Sequence, residues 1–499
     1  MFSASQVCYH WRAALISSPS LWTRFTCRHV PRTIVGLERC KSAPIQLKFD
    51  QQSSTLALEN ILLHENKIAS LAIHHEAGKM PPLHKLFTLP IPSVERFHIY
   101  SYGPGQEGGE RKMTDILQDF LSLRELFARR FPVPIGQFAA PNLVHLALEN
   151  VGEEQYITVR SILDTLRGCP LLETVLIILW SGDPQETTLD YSSVSLPNLH
   201  SIELGSYEVR SGLITYLLFP RTVAVGFRSL GAYDVCGYDV PPVVLASSRH
   251  VLGRMDIHTV VLAIVAPRCD GYLQALIRFE GVVGSLEMTF RSWFMGEGTI
   301  FCGHGVLFSF APCLVNVKEL QLAECYIEPI VDVNHLVTAM PNLTSICFFH
   351  CVWLEGDSVF RLISPNDDHQ SPPFPRLESL TVLEPGPGLI KIAQRRKECG
   401  VPLRTVVIGP DPLLYTPEQI AELRVFVDDV RVEIPPDISE WSTGNKILDT
   451  WSDTGIPGPV STTRDPIFIG LTLFSPQDTL TSLRGLLKYC RFNVGERFH

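Results

Sequence analysis

The sequence predicts an α/β solenoid, a stack of units each made of one short strand and one helix, on three observations. A short pattern, L-x-x-L-x-L with apolar residues at its first, fourth and sixth positions, keeps returning, often just after a proline. Stretches between copies carry apolar residues at three- and four-residue spacing and stop at glycine and proline. The chain is 45% hydrophobic and 19% charged over 499 residues, which suits a large buried core and excludes a disordered chain or a long coiled coil.

Weak copies open the array at Ile68, Leu71, Ile73, at Val94, Phe97, Ile99, and at Leu123, Leu126. Clear copies follow at Leu143, Leu146, Leu148 (PNLVHLAL), at Leu172, Val175, Ile177 (PLLETVLI) and at Leu199, Ile202, Leu204 (PNLHSIEL). Beyond residue 199 the period blurs, with Ile257, Val260, Leu262 and Val283, Leu286, Met288 as further weak copies. The pattern is clear again at Val317, Leu320, Leu322, at Leu343, Ile346, Phe348, at Leu377, Leu380, Val382 and at Leu403, Val406, Ile408. First positions step by 29 (143 to 172), 27 (172 to 199), 26 (317 to 343), 34 (343 to 377) and 26 (377 to 403) residues. Those steps match or slightly exceed a leucine-rich repeat of about 20–29 residues, the unit of a horseshoe solenoid.

Within a copy, the fourth and sixth positions point to one face of a strand. Between copies, residues 157–167 (ITVRSILDTLR) read as a helix ended by Gly168 and Pro170, and residues 389–399 (LIKIAQRRKEC) repeat the device with Gly400 and Pro402. One unit cannot bury its apolar face alone, but stacked units can. Two copies add a ninth-position cysteine, Cys325 and Cys351, as in cysteine-containing leucine-rich repeats; both read as buried packing residues. Residues 423–434 read as strand-like. After them the chain turns rich in Pro, Gly, Ser, Thr and Asp, a loose tail that holds at most one strand (467–474) and one helix (479–489). The expected organisation is an N-terminal segment 1–50, a solenoid 51–435 and a tail 436–499, with residues from about 60 to 410 forming one array and no flanking domain of another class.

Composition restricts the partners. Lys+Arg 42 against Asp+Glu 52 gives a net charge of −10, so no global positive field draws in nucleic acid or anionic lipid. No apolar run approaches the roughly 20 residues of a bilayer span, and the N-terminus lacks the order of a secretory signal. Thirteen cysteines without a C-x-x-C pair fit reduced thiols in the cytoplasm or nucleus.

The N-terminal segment is the most specific. In ASQVCYHWRAALISSPSLWTRF, Val7, Trp11 and Leu15 lie at helical spacing before Pro19, and Trp22 follows. The order of residues resembles the second half of an F-box, V-C-x-x-W-R followed by P-x-L-W, matched here by Val7, Cys8, Trp11, Arg12, Pro19, Leu21 and Trp22. The continuation RTIVGLERCKSAPIQLKF and the Pro-Leu-Arg segment after Gly400 are similar to fungal F-box proteins with leucine-rich repeats. This resemblance implies docking of a Skp-type adaptor and recruitment of the repeats, as substrate receptor, to a cullin-based ubiquitin ligase. Val7, Trp11, Pro19, Leu21 and Trp22 would then touch the adaptor or pack the F-box. Because an F-box opens with a leucine-proline helix that would already have passed before Met1, the adaptor surface is expected to be incomplete and its binding weakened.

Catalytic patterns are few. GPGQEG at residues 103–108 satisfies G-x-G-x-x-G, but Pro104 removes a donor and Glu107 and Glu110 repel phosphate, leaving nucleotide binding a remote reading. His75-Glu76 meets Lys79 where a zinc protease needs a second histidine, and Cys302 with His304 has no partner pair. No cofactor, metal or catalytic residue is expected. The reading is a non-enzymatic protein-binding receptor for an unknown protein substrate, or else a repeat scaffold without ligase coupling. Its recognition face should be the exposed side of the strands: Lys318, Glu319, Gln321 and Glu324; Thr344, Ser345, Cys347, Phe349 and His350; Glu378, Ser379, Thr381 and Glu384. With strands about 5 Å apart, four carboxylates against one lysine would give a negative field around Phe349, fit for a basic segment.

Overall fold

Alternation with a period of two makes strands, and the copies obey it. In PNLVHLAL the backbone His145–Glu149 is extended, and Leu146 and Leu148 are buried on one face. The computed structural model describes residues 13–14, 16–75, 93–101, 117, 120–131, 133, 135–149, 157–179, 191–206, 211–231, 242–265, 272–293, 310–323, 333–349, 363, 372–382, 388–410 and 415–434. All described residues belong to one compact unit, Met1–Trp293 with Phe301–Pro436. The predicted tail, Cys325, Cys351, GPGQEG, Cys302 and His304 lie outside the described residues.

The strands in chain order are β1 (Arg24–Phe25), β2 (Ile45–Phe49), β3 (Ile68–His75), β4 (Arg96–Ser101), β5 (Glu125–Arg129), β6 (His145–Glu149), β7 (Thr174–Leu179), β8 (Val194–Ser195), β9 (Ser201–Ser206), β10 (Leu217–Leu218), β11 (Ala224–Gly231), β12 (Ile257–Val265), β13 (Tyr272–Gly281), β14 (Gly284–Trp293), β15 (Glu319–Ala323), β16 (Ser345–Phe349), β17 (Ser379–Val382), β18 (Thr405–Ile408) and β19 (Asp429–Val432). The α-helices are α1 (Val30–Cys40), α2 (Thr55–Leu62), α3 (Val159–Arg167), α4 (Pro242–Leu252), α5 (Val333–Ala339), α6 (Leu389–Glu398) and α7 (Pro417–Phe426). All strands but the small β8–β10 pair join one seventeen-stranded, mostly parallel sheet.

Register aligns one apolar residue from every strand of that sheet. The row runs Phe25, Leu47, Leu71, Phe97, Leu126, Leu146, Val175, Ile202, Val225, Leu286, Phe279, Val260, Leu320, Ile346, Leu380, Val406, Val430. From Leu71 to Val406 these are the fourth-position residues of the copies, with Val225 and Phe279 added, and all belong to one core. The recurring PNL phrase has a second physical basis. Asn142 Nδ2 donates to Leu121 O at 3.0 Å and Asn342 Nδ2 to Val315 O at 2.8 Å, so the asparagine pins each turn to the corresponding turn of the previous unit.

The blurred interval has a topological cause. Instead of adding β12 beside β11, the chain leaves room, and the order becomes β11–β14–β13–β12–β15, with β13 antiparallel to both neighbours. Ile257, Val260 and Leu262 are buried as a copy requires, but Val283 is 44% exposed, which corrects its assignment as a first position. It sits in the two-residue turn between the paired Gly281 and Gly284 that closes the β13–β14 hairpin. Gly284 has φ +120°, and a Cβ there would lie 2.6 Å from Arg221 O. Gly284→Ala should therefore cost about 2–3 kcal/mol through strain and a backbone clash, read as a lower urea midpoint at unchanged m; an unchanged midpoint would contradict the hairpin geometry.

Two helix stops that look alike in sequence differ in mechanism. Gly400 has φ +77°, the left-handed stop expected of glycine, whereas Gly168 has ordinary helical φ and is needed because a Cβ would meet Ala139 Cα at 2.9 Å. Residues 423–434, expected as strand-like, divide between the end of α7 and β19, because Thr416 builds a capping box with Gln419 and Pro417 favours the first helical turn.

Candidate functional site

The N-terminal motif folds onto the first strands. Pro19–Trp22 forms a short 3₁₀ turn leading into β1, which pairs with β2. Trp22 is 4% exposed, and the Arg39 guanidinium of α1 lies 4.3 Å from its ring centroid. Leu21, next to it, is 39% exposed. Both line a cleft of about 240 Å³ together with Arg24, Phe25, His29 and Arg32. Pro19 is half-buried at the start of the turn, and Val7 and Trp11 lie outside the described residues. The motif's two closing residues thus separate: Trp22 packs, and Leu21 offers apolar surface.

On the later strands the structure places Glu319, Gln321, Phe349 and Glu378, while Glu324, His350 and Glu384 lie outside the described residues. The expected acidic face with a central aromatic does not form among the described members. Glu319 Oε1 accepts from Gln321 Nε2 at 2.8 Å and from Cys347 Sγ at 3.7 Å. Glu378 precedes β17 and lies 3.4 Å from Arg404, a basic residue of the next unit. Phe349 is 4% exposed, a core residue and not a surface anchor. The second face is covered most fully from β3 to β9, where its middle row, Ala72, His98, Phe127, Ala147, Leu176 and Glu203, is buried, whereas on β15, β17 and β18 the alternate positions Gln321, Thr381 and Val407 are half-buried. Where a parallel sheet is buried on both faces it carries apolar residues at both sets of alternating positions.

Within that row sits a polar and aromatic cluster on β2–β7 that no motif announces. His98 Nε2 donates to Glu125 Oε1 at 2.7 Å across the β4–β5 pair. Burial raises the Glu125 carboxyl, but the hydrogen bond and charge of His98, with Arg96 and His145, outweigh it and hold the group below its ordinary value. His145 Nδ1 and Thr174 Oγ1 share a hydrogen bond at 2.8 Å. His74 stacks on Tyr100 with ring centroids 4.7 Å apart, and Tyr100 meets Phe127 in a tilted contact at 4.9 Å. The available sign of its existence in sequence is the alternation HIY and HLALE, with histidines at strand positions where a leucine-rich copy is otherwise free to vary.

Burial first, then Lys48 and His98 against the opposing Asp50, push the His74 imidazole down from 6.5 to about 4. The unfolded chain therefore takes up this proton first as pH falls: the stability is full above 6.5 and is lost towards 4, amounting to about 3 kcal/mol. Glu125, held low, loses its contribution in the same direction. His74→Phe keeps the stack on Tyr100 and should flatten the fall of the thermal midpoint between neutral pH and about pH 4.5; equal slopes in both proteins would count against the placement of His74.

Burial also sets the thiols. It pushes Cys169 and Cys347 up to about 11 and Cys27 higher still, so these groups are protonated packing residues at neutral pH. Among the described residues no group of three or more His, Cys, Asp or Glu could hold a metal ion, and no helix is long and apolar enough to cross a membrane. Set against known proteins, the sequence matches no family model and no curated protein.

Proposed function

We propose that the chain is a non-enzymatic protein-binding receptor: a leucine-rich-repeat solenoid coupled through its F-box-like N-terminal turn to a Skp-type adaptor, acting as substrate-recognition subunit of a cullin-based ubiquitin ligase in the cytoplasm or nucleus. The observation that carries the reading is the apolar row threaded through all seventeen strands, one residue per strand and mostly from the fourth positions of the repeat pattern, which supports a leucine-rich-repeat packing. The adaptor would use Leu21, whose side chain remains available, while Trp22 and Arg39 fix the turn that presents it. Substrate recognition falls to the rim of the sheet, where Lys318, Glu319, Glu378 and Arg404 bring both signs of charge, in place of the net acidic patch expected from sequence.

A scaffold of the same architecture without ligase coupling is the second reading, favoured by the use of Trp22 in packing. Affinity purification from cells of the tagged chain and its Leu21→Asp variant separates the two. The receptor reading predicts adaptor and cullin with the parent chain, and at least tenfold less of both with the variant, since a charge in an apolar contact costs more than about 1.4 kcal/mol. Absence of adaptor from both would favour the scaffold.

A further inference from the structure

Among the described residues, the last strand of the row, β19, pairs with β18 alone. Asp429 N–H donates to Arg404 O at 2.9 Å and Glu433 N–H to Ile408 O at 3.1 Å, so the odd-numbered residues of this parallel strand turn their amides towards β18. By alternation Val430, Val432 and Ile434 turn theirs outward, and such a row of N–H and C=O groups is a template for a further strand. Ile434 precedes a proline, which favours an extended backbone and carries the edge on to that residue. The apolar side chains match. Ile408 is fully buried, whereas Val432, its neighbour in register, is 52% exposed and Ile434 is 82% exposed. On the other face Asp429, Arg431 and Glu433 alternate in sign, with Arg431 Nε 2.6 Å from Asp429 Oδ2 and Arg431 Nη1 3.9 Å from Glu433 Oε1.

We propose that β19 pairs with β19 of a second copy of this chain, antiparallel about a twofold axis at Val432. Only an axis through a residue sets outward amides against outward amides, and the side chains choose which residue. An axis at Arg431 would set Arg431 against itself and Asp429 against Glu433 of the second copy, like charge on like. An axis at Val430 would leave Ile434 opposite Phe426, which belongs to α7. With the axis at Val432, Arg431 lies opposite Glu433 of the second copy and Val430 opposite Ile434, so opposite charges meet on one face and the exposed apolar residues on the other. Arg431 keeps its contact with Asp429, since a guanidinium carries donors for more than one carboxylate. Head-to-tail growth has no comparable edge to join: at the other end of the row β2 lies between β1 and β3, and β1 has only two residues. So short an edge makes a small interface, below the about 1,200 Å² of standard complexes, and the dimer should dissociate with a constant of order 10–100 µM. The inference stands apart from the receptor reading, since it needs neither adaptor nor substrate.

Sedimentation equilibrium of the full chain between about 1 and 300 µM tests it, with a reversible monomer–dimer equilibrium expected. Ile434→Lys, at a position too exposed to matter to the monomer, should weaken the dimer at least tenfold, because it sets a charge in an apolar pair. Val432→Pro removes an outward N–H that the β18 ladder does not use and should weaken it as much. Leu63→Lys, equally exposed at the end of α2, should leave it unchanged. Arg431→Glu should weaken the dimer by like-charge repulsion, and adding Glu433→Arg should restore it. A chain that stays monomeric throughout the range, a dimer that Ile434→Lys leaves intact, or a charge swap that restores nothing overturns the proposal. Open-ended growth in place of a dimer overturns it too, since that requires head-to-tail pairing with a different edge. Should Val432→Pro lower the urea midpoint, Ile434→Lys decides without it.

Discussion

Arg396→Met is expected to lower the stability of the protein by about 3–5 kcal/mol, although it replaces a buried cation with an apolar side chain of similar length. Arg396 is fully buried on the inner stripe of α6. Its Nη1 donates to Pro373 O at 2.9 Å and Ile363 O at 3.3 Å, and its Nη2 to Phe374 O at 3.0 Å and Leu377 O at 3.3 Å. Burial lowers its pKa to about 10, which leaves it charged at neutral pH. Three of the four carbonyls belong to the turn before β17, where Phe374 has φ +49°, a left-handed conformation unusual for a phenylalanine. Methionine removes these donors, leaving Phe374 O with the Leu377 N–H and the other three carbonyls without the guanidinium, and releases the strained turn. Arg396→Lys should recover part of the loss, since one ammonium cannot reach both pairs of carbonyls. Urea denaturation of the three proteins reads the result, and a loss below about 1 kcal/mol for methionine would show that the carbonyls find other donors.

Trp22→Ala should cost a similar amount, about 3–5 kcal/mol, because it removes a buried indole from the first unit of the sheet and the surface on which Arg39 rests. Trp22→Phe should cost less, since it keeps most of the apolar volume. Leu21→Ala, one residue away but exposed, should stay within about 0.5 kcal/mol. That contrast separates the packing role of Trp22 from the surface role assigned to Leu21, and equal losses at both positions would erase the distinction.

The apolar row was readable because a leucine-rich copy repeats its buried positions at fixed offsets. Leu146, Ile202, Ile346 and Val406 follow directly from that spacing. The β13–β14 hairpin was not, because its strands show the same alternation as a copy and only the Gly281–Gly284 turn marks the reversal. Arg396 hid in plain spacing: Leu389, Ile392, Ala393 and Arg396 fall at i, i+3, i+4 and i+7, so the periodicity itself assigns an arginine to the core, against the habit of reading a charge as solvated. The burial of Phe349 and the partners of Glu319 were illegible for another reason. A strand pattern says which side chains share a face, but whether that second face meets solvent depends on packing from residues far away in sequence.

The receptor account is tested most directly by titrating a purified Skp-type adaptor into the full chain and into its Leu21→Asp variant by calorimetry. The account predicts a saturable 1:1 complex with the parent chain and at least a tenfold weaker one with the variant, which retains its urea midpoint. No heat of binding with either protein, or equal affinity for both, would contradict it.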